Sequence, residues 1–459
     1  MNTNIAARAA GWLAAGRHFL ASRQPEKAVE CLSRGLEIAP GDPILHALRA
    51  RSRKALRQPE RARDDFRAAL KQAPDNPDIL YDFALFEQQQ GNLAAAERLY
   101  LRLLERAPDY ADGLANLGRL YQDSNQPRKA LRYYRRDLEL RPDDPDSHFS
   151  LAFILLQLGN YEEGWREFEW RFRREAARRT YPHSYPQPRW QGEDFAGRTL
   201  LVHCEQGYGD TLQFIRYLPL VKERGGRVLL ETPAPLAPLL ESYPGIDELL
   251  IFNPETPCQA TFDIVIPLLS LPLIFGTTPE NIPGYRSRLR AGPARRQQWQ
   301  ELATNREKLQ VGLVWRGKPR PDPLRSCPAR ELAPLCTEVA GISIYGLQSD
   351  PAPGEMELLA SCSNFAGNLG PRLRDFADTA AVMEQLDLII SIDTAAAHLA
   401  GALGRKTWLL LPYTPDWRWF LERQDSPWYP TMTLFRQPRP GDWQTPLTAI
   451  RRRLEQLTA

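Results

Sequence analysis

Apolar and small positions in the first third of the chain recur every 34 residues. One small column runs Ala28, Ala62, Ala96 and Ala130; another runs Gly16, Ala50, Ala84, Gly118 and Ala152. A large apolar column runs Leu32, Phe66, Tyr100, Tyr134 and Phe168, and a proline column Pro40, Pro74, Pro108 and Pro142. Small residues let two helices approach closely, large ones fill the groove against the next repeat, and proline ends a helix and sets the turn. The pattern predicts helix pairs at 9–42, 43–76, 77–110 and 111–144, with a divergent fifth at 145–174. The stretch from Gly164 to Arg179 is basic and carries Trp165, Phe168, Trp170 and Phe172. It reads as a capping helix whose aromatic residues dock onto the domain that follows.

Residues 180–197 hold three prolines and two glycines without a period, which marks a linker. Beyond it, short β-rich runs alternate with helical ones. Strands are predicted at 199–204, 227–232, 248–253, 263–268, 310–317, 342–348, 387–393 and 406–412. This order implies two parallel sheets with crossover helices and a ligand cleft at the carboxyl ends of the strands.

Composition narrows the class. A net charge of +3 over 459 residues gives no warrant for a nucleic-acid partner. The six cysteines (31, 204, 258, 327, 336, 362) form no C-x-x-C pair and no zinc pattern, so free thiols and a cytoplasmic setting are expected. No apolar run reaches the ~18 residues of a membrane span, and the N-terminus has no signal-peptide core, so neither is expected.

Four stretches carry candidate chemistry. His203-Cys204-Glu205-Gln206-Gly207-Tyr208-Gly209-Asp210 lies where a strand gives way to a helix. Its glycines allow a tight turn and close approach to a ligand. Asp210 is then either a helix cap or a general base, with His203 and Glu205 as neighbouring candidates. Asp393-Thr394-Ala395-Ala396-Ala397-His398 opens a helix with small residues. Its first turn either binds a diphosphate on free N–H groups or is simply capped by Asp393 or Thr394. Arg316, Lys318, Arg325 and Ser326 follow a strand end, a loop suited to pyrophosphate or to plain solvation. The aromatic run from Pro412 to Pro430 reads mainly as interdomain packing, with a sugar site as the alternative.

The repeats resemble the tetratricopeptide repeat (TPR). The second half resembles the family 9, heptosyltransferase-like glycosyltransferases in H-x-E-Q-G-x-G-D-T-x-Q-F (203–214), G-L-V-W (312–315), D-F-A-D-T-A (375–380), D-T-A-x-A-H-L-A-G-A-L-G (393–404), P-D-W-R-W (415–419) and D-S-P-W-Y-P (425–430). The resemblance implies a TPR α-solenoid with capping helix (1–179), the linker (180–197), and a GT-B fold of two Rossmann-like domains. Of these, 198–295 would be the acceptor side and 296–459 the nucleotide-sugar donor side. It implies Asp210 as catalytic base, with His203 beside it. Gly207, Gly209, Lys318, Arg325, Ser326, Asp393, Thr394, Ala395, Ala396 and His398 would form the donor site, without metal or other cofactor. The combination is similar to protein O-GlcNAc transferases, whose repeat groove guides a polypeptide acceptor. Their groove asparagines are here Ala14, Leu48, Asp82, Asn116 and Ser150, so that ladder is absent. The expectation is inverting sugar transfer to an acceptor hydroxyl, with a protein or peptide held in the groove. The rival is a TPR scaffold with a non-catalytic transferase-like half.

Overall fold

A computed structural model of the chain describes residues 3–176, 181–285, 289–303, 307–318 and 323–459. Arg178 and Arg179 of the basic stretch, Thr180 at the linker start, and residues 319–322 of the basic loop lie outside the described residues. The chain divides into two compact units, Met1–Leu151 and Ala152–Ala459.

The first unit is helical: α1 (Thr3–Ala21), α2 (Pro25–Ile38), α3 (Pro43–Ala55), α4 (Pro59–Gln72), α5 (Pro77–Gln89), α6 (Leu93–Arg106), α7 (Ala111–Asp123), α8 (Pro127–Leu140) and the start of α9 (Pro145–Gln157). Proline sits at the start of α2, α3, α4, α5 and α8, where its missing N–H costs nothing. Asp42 and Asn76 cap α3 and α5 by accepting backbone N–H bonds from Ile44 and Ile79. The small columns are buried, and their purpose is visible within each repeat. A β-carbon on Gly16 would stand 2.5 Å from Leu32, and one on Gly118 would stand 3.1 Å from Tyr134. The large side chain therefore fills the space left by the small residue of its own repeat. The four prolines fall two residues past the ends of α2, α4, α6 and α8.

Several polar residues on α3, α5 and α7 are partnered inside the array. Gln88 and Gln122 accept from the Tyr100 and Tyr134 hydroxyls at 2.9 and 3.0 Å, a brace repeated one period apart. Asp78 accepts from Tyr110, Asp112 pairs with Arg141, and Arg51 lies 3.8 Å from Asp82. The buried acids Asp65, Glu87 and Asp137 are held by Arg49 and Arg53, by Arg63, and by Arg141 and Ser147.

The second unit begins within α9, earlier than the expected boundary at residue 179. The reason lies in α10 (Tyr161–Phe168). Its Tyr161, Trp165 and Phe168 are buried. Trp165 donates to the Thr277 carbonyl at 3.0 Å, and Trp428 donates to the Tyr161 hydroxyl at 3.0 Å. The aromatic cap thus belongs to the α/β core.

That core has two wholly parallel sheets. The first contains β1 (Thr199–His203), β2 (Arg227–Thr232), β3 (Glu248–Ile251) and β4 (Ile264–Pro267), in the order β3-β2-β1-β4. The second contains β5 (Leu309–Val314), β6 (Ile342–Gly346), β7 (Phe365–Asn368), β8 (Leu388–Ile392), β9 (Thr407–Leu411) and β10 (Met432–Arg436), in the order β10-β9-β8-β5-β6-β7. Both sheets have the crossover topology of Rossmann-like halves, a GT-B-like pair. The sequence pattern did not predict β7 or β10.

The linker is bound rather than free. Trp190 donates its backbone N–H to Val265, and Val265 donates to Pro188, so the segment lies along β4 as an added edge. Tyr181 stacks on His203 with ring centroids 3.9 Å apart.

Candidate active site

The glycine loop after β1 turns into the helix Tyr208–Phe214, with Gly207 as N-cap. Asp210 is the third residue of that helix, one turn inside it, and its Oδ2 accepts the Gly207 N–H at 2.8 Å. Its Oδ1 accepts from the Arg418 guanidinium. Burial raises the Asp210 carboxyl above its usual range, against the pull of Arg418 and the Gly207 N–H. The cap and base readings are therefore not exclusive: one oxygen supports the turn and the other faces the second sheet.

From that second sheet come β8 and the helix Ala395–Ala402. Gly209 and His398 bring the two halves together: a β-carbon at Gly209 would lie 2.7 Å from His398 Cδ2. His398 Nδ1 is bonded to the Tyr429 hydroxyl at 2.8 Å, and Nε2 lies 3.8 Å from Asp393 Oδ1. Burial, then Arg418 and Arg216, push the His398 pKa well below its ordinary value, so the ring stays neutral near pH 7. Asp393 is raised to about 6 by burial and then by the nearby Asp416.

Arg325 and Ser326 lie at this strand end. Arg325 Nη1 reaches the Asp393 carbonyl at 3.4 Å and Nη2 the Lys318 carbonyl at 3.0 Å. Ser326 accepts the Gly317 N–H at 3.1 Å. A β-carbon on Gly317 would press to 2.8 Å from Arg325 Nε, so the glycine makes room for the guanidinium. Lys318 is exposed. Two buried polar atoms here have no partner among the described residues: Arg325 Nε and Thr394 Oγ1. Thr394 caps its helix without a side-chain bond, and Ala395 and Ala396 leave the first turn unobstructed. An unused donor, an unused hydroxyl and open backbone N–H groups at a helix start suit a phosphate group.

The structure thus brings together Gly207, Gly209, Asp210, Asp393, Thr394, Ala395, Ala396 and His398, with Arg325 and Ser326 alongside. His203 and Glu205 are engaged elsewhere. His203 is buried under Tyr181, and burial, reinforced by Arg171, pushes its pKa down to about 3. Glu205 is buried in an ion pair with Arg171, which also holds Glu169 and Ser270. It anchors the segment after α10 and is no free acid.

Sequence reasoning missed Arg418, Gln213 and Tyr429 as members of the site. Arg418 stood in view within P-D-W-R-W, read there for its aromatic residues. A cation among so many buried rings must find a carboxylate, and that was the available signal.

Residues 55–120 and 114–147 match the tetratricopeptide repeat, and residues 331–442 match glycosyltransferase family 9 (heptosyltransferase). The chain carries N-terminal TPR repeats and a C-terminal glycosyltransferase family 9 domain. The matched part of that glycosyltransferase domain includes Asp393, Thr394, His398 and Arg418, while Asp210 lies before it. Protein FlbA of Caulobacter vibrioides is 27% identical over 345 residues, 68% of this chain and 55% of that protein. The chain therefore spans about half the length of this curated relative. Among solved structures, a family 9 glycosyl transferase from Veillonella parvula is 13% identical, with a TM-score of 0.42 over 54% of this chain and 88% of that one. PilF of Pseudomonas aeruginosa is 21% identical, with a TM-score of 0.35 over 37% of this chain and 77% of that one.

Proposed function

We propose that the second unit transfers a sugar, with inversion, from a nucleotide-sugar to an acceptor hydroxyl. The observation that carries this reading is the contact of Gly209 with His398, which sets Asp210 of one sheet beside the Asp393–His398 strand end of the other. Asp210 takes the proton of the acceptor hydroxyl. The acceptor oxygen bonds to the anomeric carbon as the bond from that carbon to the phosphate oxygen breaks. The nucleoside diphosphate leaves with the electron pair. Arg325 and the helix start at Thr394 face the negative charge that grows on the leaving group. All of these groups are protein side chains or backbone, so the chemistry as written uses no metal.

The repeat array supports a protein or peptide acceptor, because a small-molecule transferase needs no solenoid beside it. Nucleotide-sugar chemistry and six unpaired cysteines fit the cytoplasm. Among the described residues, no helix is long and apolar enough to cross a membrane.

The test is a thermal-shift screen of the full chain against UDP-, GDP-, CMP- and ADP-linked sugars, followed by nucleotide release with the donor that binds. A donor at about 100 times its dissociation constant stabilises the native state by roughly 2.7 kcal/mol, an easily read shift. A shift with one nucleotide class, followed by release, supports transfer. No shift with any of them, from a folded sample, turns the reading to a scaffold.

A further inference from the structure

We propose that Arg418 is the positioning residue of the transfer reaction: from the donor-side loop it fixes the Asp210 carboxylate in the orientation and ionised state that a proton acceptor needs. The inference rests on Asp210 being the base.

Arg418 lies in the short turn Trp417–Trp419, between β9 and β10. Its guanidinium is buried and every edge is used. Nη2 donates to Asp210, Nη1 donates to Asp416 at 2.9 Å, and Nε donates to Gln213 Oε1. The Trp417 ring lies against it, 4.5 Å away. Asp210 and Gln213 are three residues apart on one helix and so share a face. The planar fork grips both at once, which a lysine ammonium cannot reproduce. With Gly207 on the other oxygen, the carboxylate is held at both ends yet keeps lone pairs for an acceptor proton.

The charges around it explain why a cation is needed. Asp210 is faced by Arg418 and Asp416 from the loop, and its helix packs on His398, which is neutral. Arg418 in turn interacts with Asp416, Asp210 and Asp393. Three buried or half-buried acids therefore share one buried arginine, and Arg325, hydrogen-bonded to the Asp393 backbone, adds a weaker pull on Asp393. Without Arg418, a carboxylate buried among acids takes up a proton and stops being a base.

The test uses two variants of the full chain and two readouts. In protein labelled with 13C at the aspartate carboxyl, the Asp210 signal is the one missing from Asp210→Asn. Arg418→Gln is expected to raise its titration midpoint by about one pH unit or more, while Arg418→Lys keeps it close to wild type. Nucleotide release from the UDP-, GDP-, CMP- and ADP-sugar panel gives the second readout. Arg418→Gln is expected to lower kcat, leave the donor KM nearly unchanged and move the acid limb of the pH profile upward. Arg418→Lys keeps the charge without the fork, so its acid limb stays in place while kcat falls about tenfold or more. Should Arg418→Gln fail to fold, Arg418→Lys decides alone, and wild-type kcat in it overturns the proposal. An unmoved Asp210 midpoint in folded Arg418→Gln also overturns it, as does activity lost in that same Arg418→Gln variant with an unmoved acid limb, the mark of a structural role. Full turnover in Asp210→Asn removes the base assignment and this inference together. An inactive Asp210→Asn beside an unmoved Arg418→Gln profile removes this inference alone.

Discussion

Gly209 packs against the His398 ring, where a β-carbon would stand 2.7 Å from Cδ2. The ring cannot swing aside, because Tyr429 holds Nδ1 and Trp419 lies against it. Gly209→Ala is therefore expected to cost about 1–3 kcal/mol in urea unfolding, and to depress nucleotide release beyond that loss by parting the two halves. Gly207 supplies the internal control. It has ordinary extended dihedrals, and its β-carbon would meet only Asp210 Oδ2, at 3.1 Å. Gly207→Ala should be the milder of the two. Equal effects would mean that the contact with His398 is not what requires the glycine.

Asp210→Asn keeps the shape of the side chain and removes its capacity to take a proton. Transfer should fall by roughly 10²–10⁴-fold while the donor-induced thermal shift stays near wild type. Release at the wild-type rate would take Asp210 out of the mechanism.

Arg325 is the cation that the structure places at the Asp393 strand end, with Nε free of any partner among the described residues. Arg325→Ala should abolish most of the roughly 2.7 kcal/mol stabilisation that a donor gives at about 100 times its dissociation constant. Lys318 is exposed, and its carbonyl accepts from Arg325. Lys318→Ala should retain more of the shift. The reverse ranking would transfer the diphosphate contact to Lys318.

What the sequence made legible follows from how far apart the interacting residues lie. The repeat columns were readable because each small residue meets a large one about 16 residues away in its own helix pair, as Gly16 meets Leu32. Strands such as β1, β8 and β9 were readable as short apolar runs, buried on both faces as parallel strands are. β7 was not, since Phe365–Asn368 carries a glycine at φ 132° and little apolar content. Asp210 was legible as an acid at a helix start and Asp393 as a strand-end acid, but the arginine that joins Asp210 comes from 208 residues downstream, which no local pattern announces. The basic stretch from Gly164 to Arg179 read as a capping helix whose aromatic residues dock onto the domain that follows. In the fold its Arg171 is buried, because Glu169 and Glu205 wait for it.

That buried pair gives a stability prediction. Arg171→Met leaves Glu205 and Glu169 without their shared cation in a site closed to water. Breaking one side of a buried pair typically costs about 3–5 kcal/mol, so urea unfolding should shift by that order. The double variant Arg171→Met, Glu205→Gln should recover part of it, since no unpaired charge is then left at residue 205. A single variant with wild-type stability would mean that Glu205 reaches solvent or another donor.

Asp393 sets the last expectation, a dependence of stability on pH. Its carboxyl is raised to about 6 in the native state by burial and then by Asp416, against an unfolded value of about 3.9. The native state therefore binds this proton more tightly than the unfolded chain does. Its contribution is fully present below about pH 4 and is lost as pH rises through about 6, because the slope of stability with pH is negative wherever the native state holds more protons. Asp393→Asn removes that loss. The stability of the variant relative to wild type should rise between about pH 4 and pH 7 by on the order of 3 kcal/mol, read from urea unfolding at both ends of the range. Parallel stability curves for the two proteins would show that Asp393 is ionised throughout, and that the dipole of the helix after it, or Arg325, outweighs its burial.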